Sequence, residues 1–206
     1  MHEESSRALR ALSHPALWTL LLAAIVAFPS VRARMRPPGP PLPVLGTVPG
    51  FRFMDQDGSP FSRADLAGKP WVADFIFTRC PSVCPRLTRT LAELRPRLGG
   101  RVELVSFSVD PEFDTPRRLR RFAEAHGAEG KGWHFLTGPS MEVQQAVTDG
   151  FKVTLERPGG EDDFLSIVHG VHLVLVDGQG RIRGYYDSTD PDALERLVRD
   201  VRQIGG

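Results

Sequence analysis

Trp71–Val–Ala–Asp–Phe–Ile–Phe–Thr–Arg–Cys–Pro–Ser–Val–Cys–Pro85 is the stretch that decides the fold of this 206-residue chain. Its first seven residues form a mostly apolar run, as in a strand covered on both faces. Two cysteines, four apart, follow at once. Beyond them Leu87, Leu91, Leu94 and Leu98 recur at helical spacing, which predicts a helix from Arg86 to about Leu98, ended by Gly99–Gly100. A reactive pair therefore stands at the end of a strand and the start of a helix. In open α/β sheets, functional groups gather beyond the carboxyl ends of strands. A helix N-terminus offers free amide donors and positive potential, which favour thiolate over thiol. If both cysteines lie in or near the first turn, their Cβ atoms stand roughly 5–6 Å apart on one face. Pro85 suits such a turn, where its missing amide donor costs little. Two thiolates so placed can chelate a soft ion, or close to a disulfide after a small shift.

Cys80 and Cys84 are the only cysteines in the chain. A secreted disulfide scaffold would use more, spread further apart, and a loop this small staples little. The pair could instead be two buried structural thiols. Its polar, proline-punctuated setting argues for a chemical role, either redox exchange or metal binding.

Outward from this segment, Phe51–Gly58 reads as a strand into a turn, the first arm of a hairpin, and Ser62–Gly68 as a short helical turn. Val102–Val109 is the next central strand. Thr115–Pro116 opens a basic amphipathic helix to about His126, whose arginines read as a solvated face. Trp133–Gly138 is a short strand, Met141–Asp149 a helix, and Phe151–Leu155 a further strand. Val171–Asp177 and Arg181–Tyr186 form a hairpin about Gly178–Gln–Gly180. Pro191–Ile204 is the closing helix, with Leu194, Leu197, Val198 and Val201 on one face. Strands alternating with helices, then a hairpin and a last helix, fit a three-layer α/β fold with a mixed central sheet and flanking helices.

Apolar residues make up 41% of the chain, enough for one domain with a single core. Its 26 basic and 25 acidic residues give a formal charge of +1, so no strong field favours nucleic acid. Ala16–Phe28 is strongly apolar, and no Lys or Arg falls between Arg10 and Arg32. With its flanks this stretch is long enough to cross a bilayer. An uncleaved anchor competes with a cleaved signal peptide. The lack of a small-x-small site after Phe28 favours the anchor. Residues 1–35 are thus expected to form a membrane helix, residues 36–43 a proline-rich spacer, and residues 44–206 the domain. Arg32, Arg34 and Arg36 after the apolar stretch outnumber Arg7 and Arg10 before it, which leans against export.

A closed soft-metal site needs a third ligand, and there are six histidines: His2, His14, His126, His134, His169 and His172. The first two belong to the membrane segment. His126 reads as a helix C-terminal cap, and His134 lies within a short strand. His169 and His172 flank the last core strand. Side chains alternate along a strand, so at most one of the two faces the thiols. His169, in the loop before that strand, can reach a neighbouring strand's end.

Four motifs in order carry a family resemblance. Asp74–Phe–Ile–Phe–Thr–Arg–Cys–Pro–Ser–Val–Cys–Pro85 resembles the copper-site motif of the Sco/SenC family. Ser106–Phe–Ser–Val–Asp–Pro–Glu–Phe–Asp–Thr–Pro116 is similar to its second signature, and Trp133–Gly138 and Val176–Tyr186 match as well. The resemblance runs from about residue 44 to the C-terminus. It implies a thioredoxin-like domain outside the cytoplasm, on the periplasmic side, behind a membrane anchor. By the family's spacing the ligand histidine lies eleven before Gly180, at His169, so Cys80, Cys84 and His169 would hold one copper ion. Where the family usually has aspartate before this histidine, the chain has Val168. An orienting carboxylate would then come from Glu161, Asp162 or Asp163.

Two thiolates and an imidazole suit Cu(I), and accept Cu(II) with the nitrogen donor present, whereas zinc would want a fourth ligand. The resemblance implies a metallochaperone delivering copper to the binuclear site of cytochrome c oxidase. Its partners would be the copper-site subunit and other copper chaperones. The alternative is a thiol–disulfide oxidoreductase that reduces the cysteines of that site through a reversible Cys80–Cys84 disulfide. A general reductase would show C-x₂-C and a proline near Val171, and this chain has neither. A thiol peroxidase would carry threonine three before its cysteine, yet Thr78 stands two before Cys80. Asp110 and Asp114 either cap the helix after them or brace the site, and capping is the simpler expectation.

Overall fold

The computed structural model describes residues 19, 28, 40–151 and 171–205. The expected anchor apart from Thr19 and Phe28, the strand beyond Phe151, and His169 with Val168, Glu161, Asp162 and Asp163 lie outside them. Among the described residues no helix is long and apolar enough to cross a membrane. Contacts divide the chain between Pro41 and Leu42.

In the C-terminal unit the strands are β1 (Gly46–Thr47), β2 (Arg52–Met54), β3 (Pro60–Ser62), β4 (Trp71–Ile76), β5 (Glu103–Ser108), β6 (Trp133–Leu136), β7 (His172–Val176) and β8 (Arg181–Asp187). The helices are α1 (Val83–Leu98), α2 (Pro116–Ala125), α3 (Ser140–Gln145) and α4 (Pro191–Ile204). A 3-10 turn spans Arg63–Leu66, and a π turn, Ala146–Gly150, continues α3. The main sheet runs β1-β8-β7-β4-β5-β6. β5 pairs in parallel with β4 and β6, and β7 is antiparallel to both β4 and β8. β2 and β3 make a separate hairpin. The mixed sheet expected from the order of elements is therefore present.

Both faces of the sheet are covered. Val72, Ile76, Leu104 and Leu173 pack with Leu87 and Leu91 of α1, Leu119 of α2 and Leu197 of α4. Trp71, Ala73, Phe75, Val105 and Phe107 point the other way, toward Phe51, Phe53, Val147 and Phe151. Period-two alternation along β4 thus divides one apolar run between two cores. The second core is aromatic, with Phe151 ring centroids 5.1 Å from those of both Phe75 and Phe107.

One edge of the sheet is β6, which would expose a row of unpaired peptide groups. The Gln56 amide covers part of it. Its Nε2 donates to the Trp133 carbonyl at 3.1 Å, and its Oε1 accepts from the Phe135 amide at 2.8 Å. A side-chain amide here takes the place of a neighbouring strand's peptide.

Candidate metal centre

The chain leaves β4 at Ile76, turns through Thr78 and Arg79, and reaches Cys80 before α1 begins. α1 starts at Val83, three residues earlier than the leucine spacing predicts. Cys84 and Pro85 therefore lie inside its first turn. Cys80 precedes the N-cap residue Ser82, so the cysteines do not share one helical face. The Ser82 side chain makes no capping bond. The Cys84 amide instead donates to Cys80 Sγ at 3.3 Å, so a sulfur occupies the capping position.

Both thiols are free and buried, Cys80 at 8% exposure and Cys84 at 5%. Burial alone would hold both protonated. For Cys80 the hydrogen bond from the Cys84 thiol outweighs it, helped by the amides of Cys84, Ser82 and Val83, and brings the thiol down to about 5. Cys84 moves the other way. Donating to Cys80 and burial both raise it, and the charges of Cys80 and Asp74 add to that. The pair is thus one thiolate and one thiol sharing a proton, and burial coexists with reactivity.

Asp114 ties this loop to β5. Its carboxylate accepts from the Thr78 amide at 3.0 Å, from the Thr78 hydroxyl, and from the Ser108 hydroxyl at 2.6 Å. Asp110 pairs with Arg79 at 2.6 Å. The expectation that these aspartates cap α2 does not hold. Its N-cap is Thr115, with no side-chain capping bond. The acids brace the thiol loop instead, because the turn after β5 directs them across to the end of β4.

Asp74, on the α1 side of β4, is fully buried. Ser106 Oγ donates to its Oδ1 at 2.6 Å and accepts from Trp133 Nε1 at 3.0 Å. Oδ2 has no partner among the described residues. Burial, the largest cause, pushes the carboxyl up to about 7. Sequence reasoning did not single this residue out, although an acid amid an apolar strand run, opposite a serine of the next strand, was a readable signal. The folded chain holds a proton on Asp74 from about pH 4 to about pH 7 that the unfolded chain releases, so this group lowers stability as pH rises through that window. We expect Asp74→Asn, compared with the parent by urea unfolding, to gain on the order of 3 kcal/mol between about pH 4 and about pH 8. A pH-independent difference would contradict this.

His126 caps α2, as expected. His134 stacks on Phe61, with centroids 4.2 Å apart, and lies 3.5 Å from Glu103. His172 is exposed at the start of β7, opposite Asp187. Among the described residues, no three of His, Cys, Asp and Glu cluster as metal ligands. The structure thus brings together Cys80 and Cys84, and the third expected ligand, His169, lies outside its described part.

Such a domain, with a mixed sheet and an unequal thiol pair between a central strand and its helix, is of the thioredoxin-like class. The sequence model of the SCO1/SenC family matches residues 44–205. A SCO1 protein homolog of Bacillus subtilis is 34% identical over 78% of this chain and 83% of its own. A putative copper-binding protein of Stutzerimonas stutzeri is 31% identical over 79% of each chain. The solved structure of BsSco, described as having a disulfide switch and as a member of the Sco family of cytochrome c oxidase assembly proteins, superposes with TM-score 0.71. It is 32% identical and covers 81% of this chain and 97% of its own. This chain belongs to the SCO1/SenC family.

Proposed function

We propose that the chain is a copper-binding assembly factor. It holds one copper ion as cargo on Cys80, Cys84 and His169, and passes it to the copper-site subunit of cytochrome c oxidase. The observation that carries this reading is the buried thiolate–thiol pair, a soft donor set already half deprotonated at neutral pH. The copper-binding relative and the cytochrome c oxidase assembly relative support the cargo and its destination. Residues 1–35 anchor the domain outside the cytoplasm, which puts the thiols on the side where that subunit receives its metal.

Anaerobic titration of the reduced chain tests the reading. One equivalent of copper is expected to bind, with sulfur-to-copper charge transfer for Cu(II). Near neutral pH its uptake should release about one proton, that of Cys84, rather than two. Cys80→Ser abolishes the spectrum, and His169→Ala weakens or abolishes it. Full binding by His169→Ala would remove the histidine from the ligand set.

The inequality of the two thiols also favours a second reading. A low-pKa sulfur outside the helix and a protonated one within its first turn suit a nucleophile and a resolving partner. In that role Cys80 attacks a disulfide of the oxidase copper site. Cys84 then closes the Cys80–Cys84 bond, so two electrons pass to the substrate cysteines. Fast reduction of an oxidised copper-site subunit by the copper-free chain would favour this role.

A further inference from the structure

The basic residues of this nearly neutral chain are not evenly spread. α1 and α2 begin beyond the carboxyl ends of β4 and β5, at the same end of the sheet as Cys80. Neither helix has an acidic residue in its first turn. Helix N-termini normally favour carboxylates, because the macrodipole is positive there. Here the first two turns of these helices carry Arg86, Arg89, Arg117, Arg118 and Arg121, all exposed, and Arg117 and Arg118 stand in the first turn of α2 against its dipole. Among the described residues no carboxylate pairs with Arg86, Arg89, Arg117 or Arg121. The face adjoins the thiol loop. Arg79, next to Cys80, and Arg118 both lie over the Phe113 ring, at 4.9 and 3.8 Å from its centroid. Arg89 lies close enough to His126, at the end of α2, to lower its pKa, second to burial. Exposed arginines without carboxylate partners at two adjacent helix starts, two of them against the dipole of α2, mark a surface kept for something other than folding.

We infer that this arginine face is the docking surface for an acidic protein partner that presents its cysteines to Cys80. Positive charge beside the thiol loop steers an acidic face into register and repels basic ones. The inference rests on Cys80 as the working thiol and is independent of copper.

The test uses the full, reduced, metal-free chain in phosphatidylcholine nanodiscs. The probes are two peptides, each with one cysteine bonded to thionitrobenzoate and flanked by glutamates or by lysines. Cys80 thiolate attacks the peptide sulfur; one S–S bond forms, one breaks, and thionitrobenzoate leaves as a coloured anion. The glutamate probe is expected to react at least about tenfold faster than the lysine probe at about 20 mM salt, with the gap closing near about 1 M. The variant Arg117→Glu/Arg121→Glu should lose most of that preference and keep the parent rate with neutral iodoacetamide. Arg199→Glu/Arg202→Glu on α4 makes the same change in net charge and should keep the preference. Equal loss in both variants, or in neither, overturns the proposal. So does a preference that vanishes in phosphatidylglycerol nanodiscs, since lipid then occupies the face. Failure of copper titration leaves these rates untouched, and failure here leaves copper titration untouched.

Discussion

Iodoacetamide should modify the reduced, metal-free chain at Cys80 alone, with a rate that levels off above about pH 6. A thiol with its pKa brought down to about 5 is mostly thiolate there, whereas an ordinary thiol near 9 is about a thousandth ionised. A weaker base is also a weaker nucleophile, and a drop of four units costs roughly 40- to 100-fold in intrinsic reactivity. The net advantage at about pH 6 is therefore on the order of tenfold, not a thousandfold. Cys84 stays protonated and buried, and is spared. Because the Cys84 thiol is the largest cause of the low value, Cys84→Ala should move the Cys80 profile to higher pH, while the helix amides keep it below that of a free thiol. A parent rate still rising steeply at about pH 8 would show that the proton is not shared as described.

The same shift acts on stability. Cys80 is depressed on folding, so its contribution is present at alkaline pH and is lost as pH falls toward about 5. Asp74 has the opposite slope between its ordinary value and about 7. Over the shared window the two oppose each other, which is why the Asp74 effect is to be read as a difference between variant and parent.

Asp114→Ala should be the most damaging single change near the thiols, costing about 3 kcal/mol in urea unfolding. It removes one fully buried carboxylate and strands three donors, the Thr78 amide and hydroxyl and the Ser108 hydroxyl. Asp114→Asn keeps one accepting oxygen and should cost roughly half as much. The damage should reach function, because Thr78 stands two residues before Cys80. We expect the alanine variant to shift the Cys80 alkylation profile as well. Loss of stability with an unchanged profile would reduce Asp114 to a fold residue.

Most of the architecture was legible because β4, β5 and β7 are apolar runs bounded by turns, and α1 carries four leucines at strict spacing. The start of α1 was not legible. Leucine periodicity marks the buried stripe, but Val83–Cys–Pro85 precedes the first leucine, and Pro at an early helical position is as permissive as it is diagnostic. The roles of Asp110 and Asp114 were misread for a similar reason. Acids just before a helix usually serve that helix, and only the three-dimensional return of the β5 turn to β4 shows otherwise. The unequal ionisation of the two cysteines depends on which one sits outside the first turn, which spacing alone does not settle. The ligand set Cys80, Cys84 and His169 was an expectation from the family motifs and stays a proposal; Cys80 and Cys84 lie side by side as free thiols.

Gln56 closes part of the β6 edge with its own amide, and Met54 bridges to Thr137 just beyond it. A chain that must fold among many copies of itself meets its greatest hazard at such a border, where a stray segment can zip on and recruit others. By ending its sheet in a borrowed peptide group, this domain denies recruits a template there, so crowding during folding costs it less than its open α/β plan would suggest.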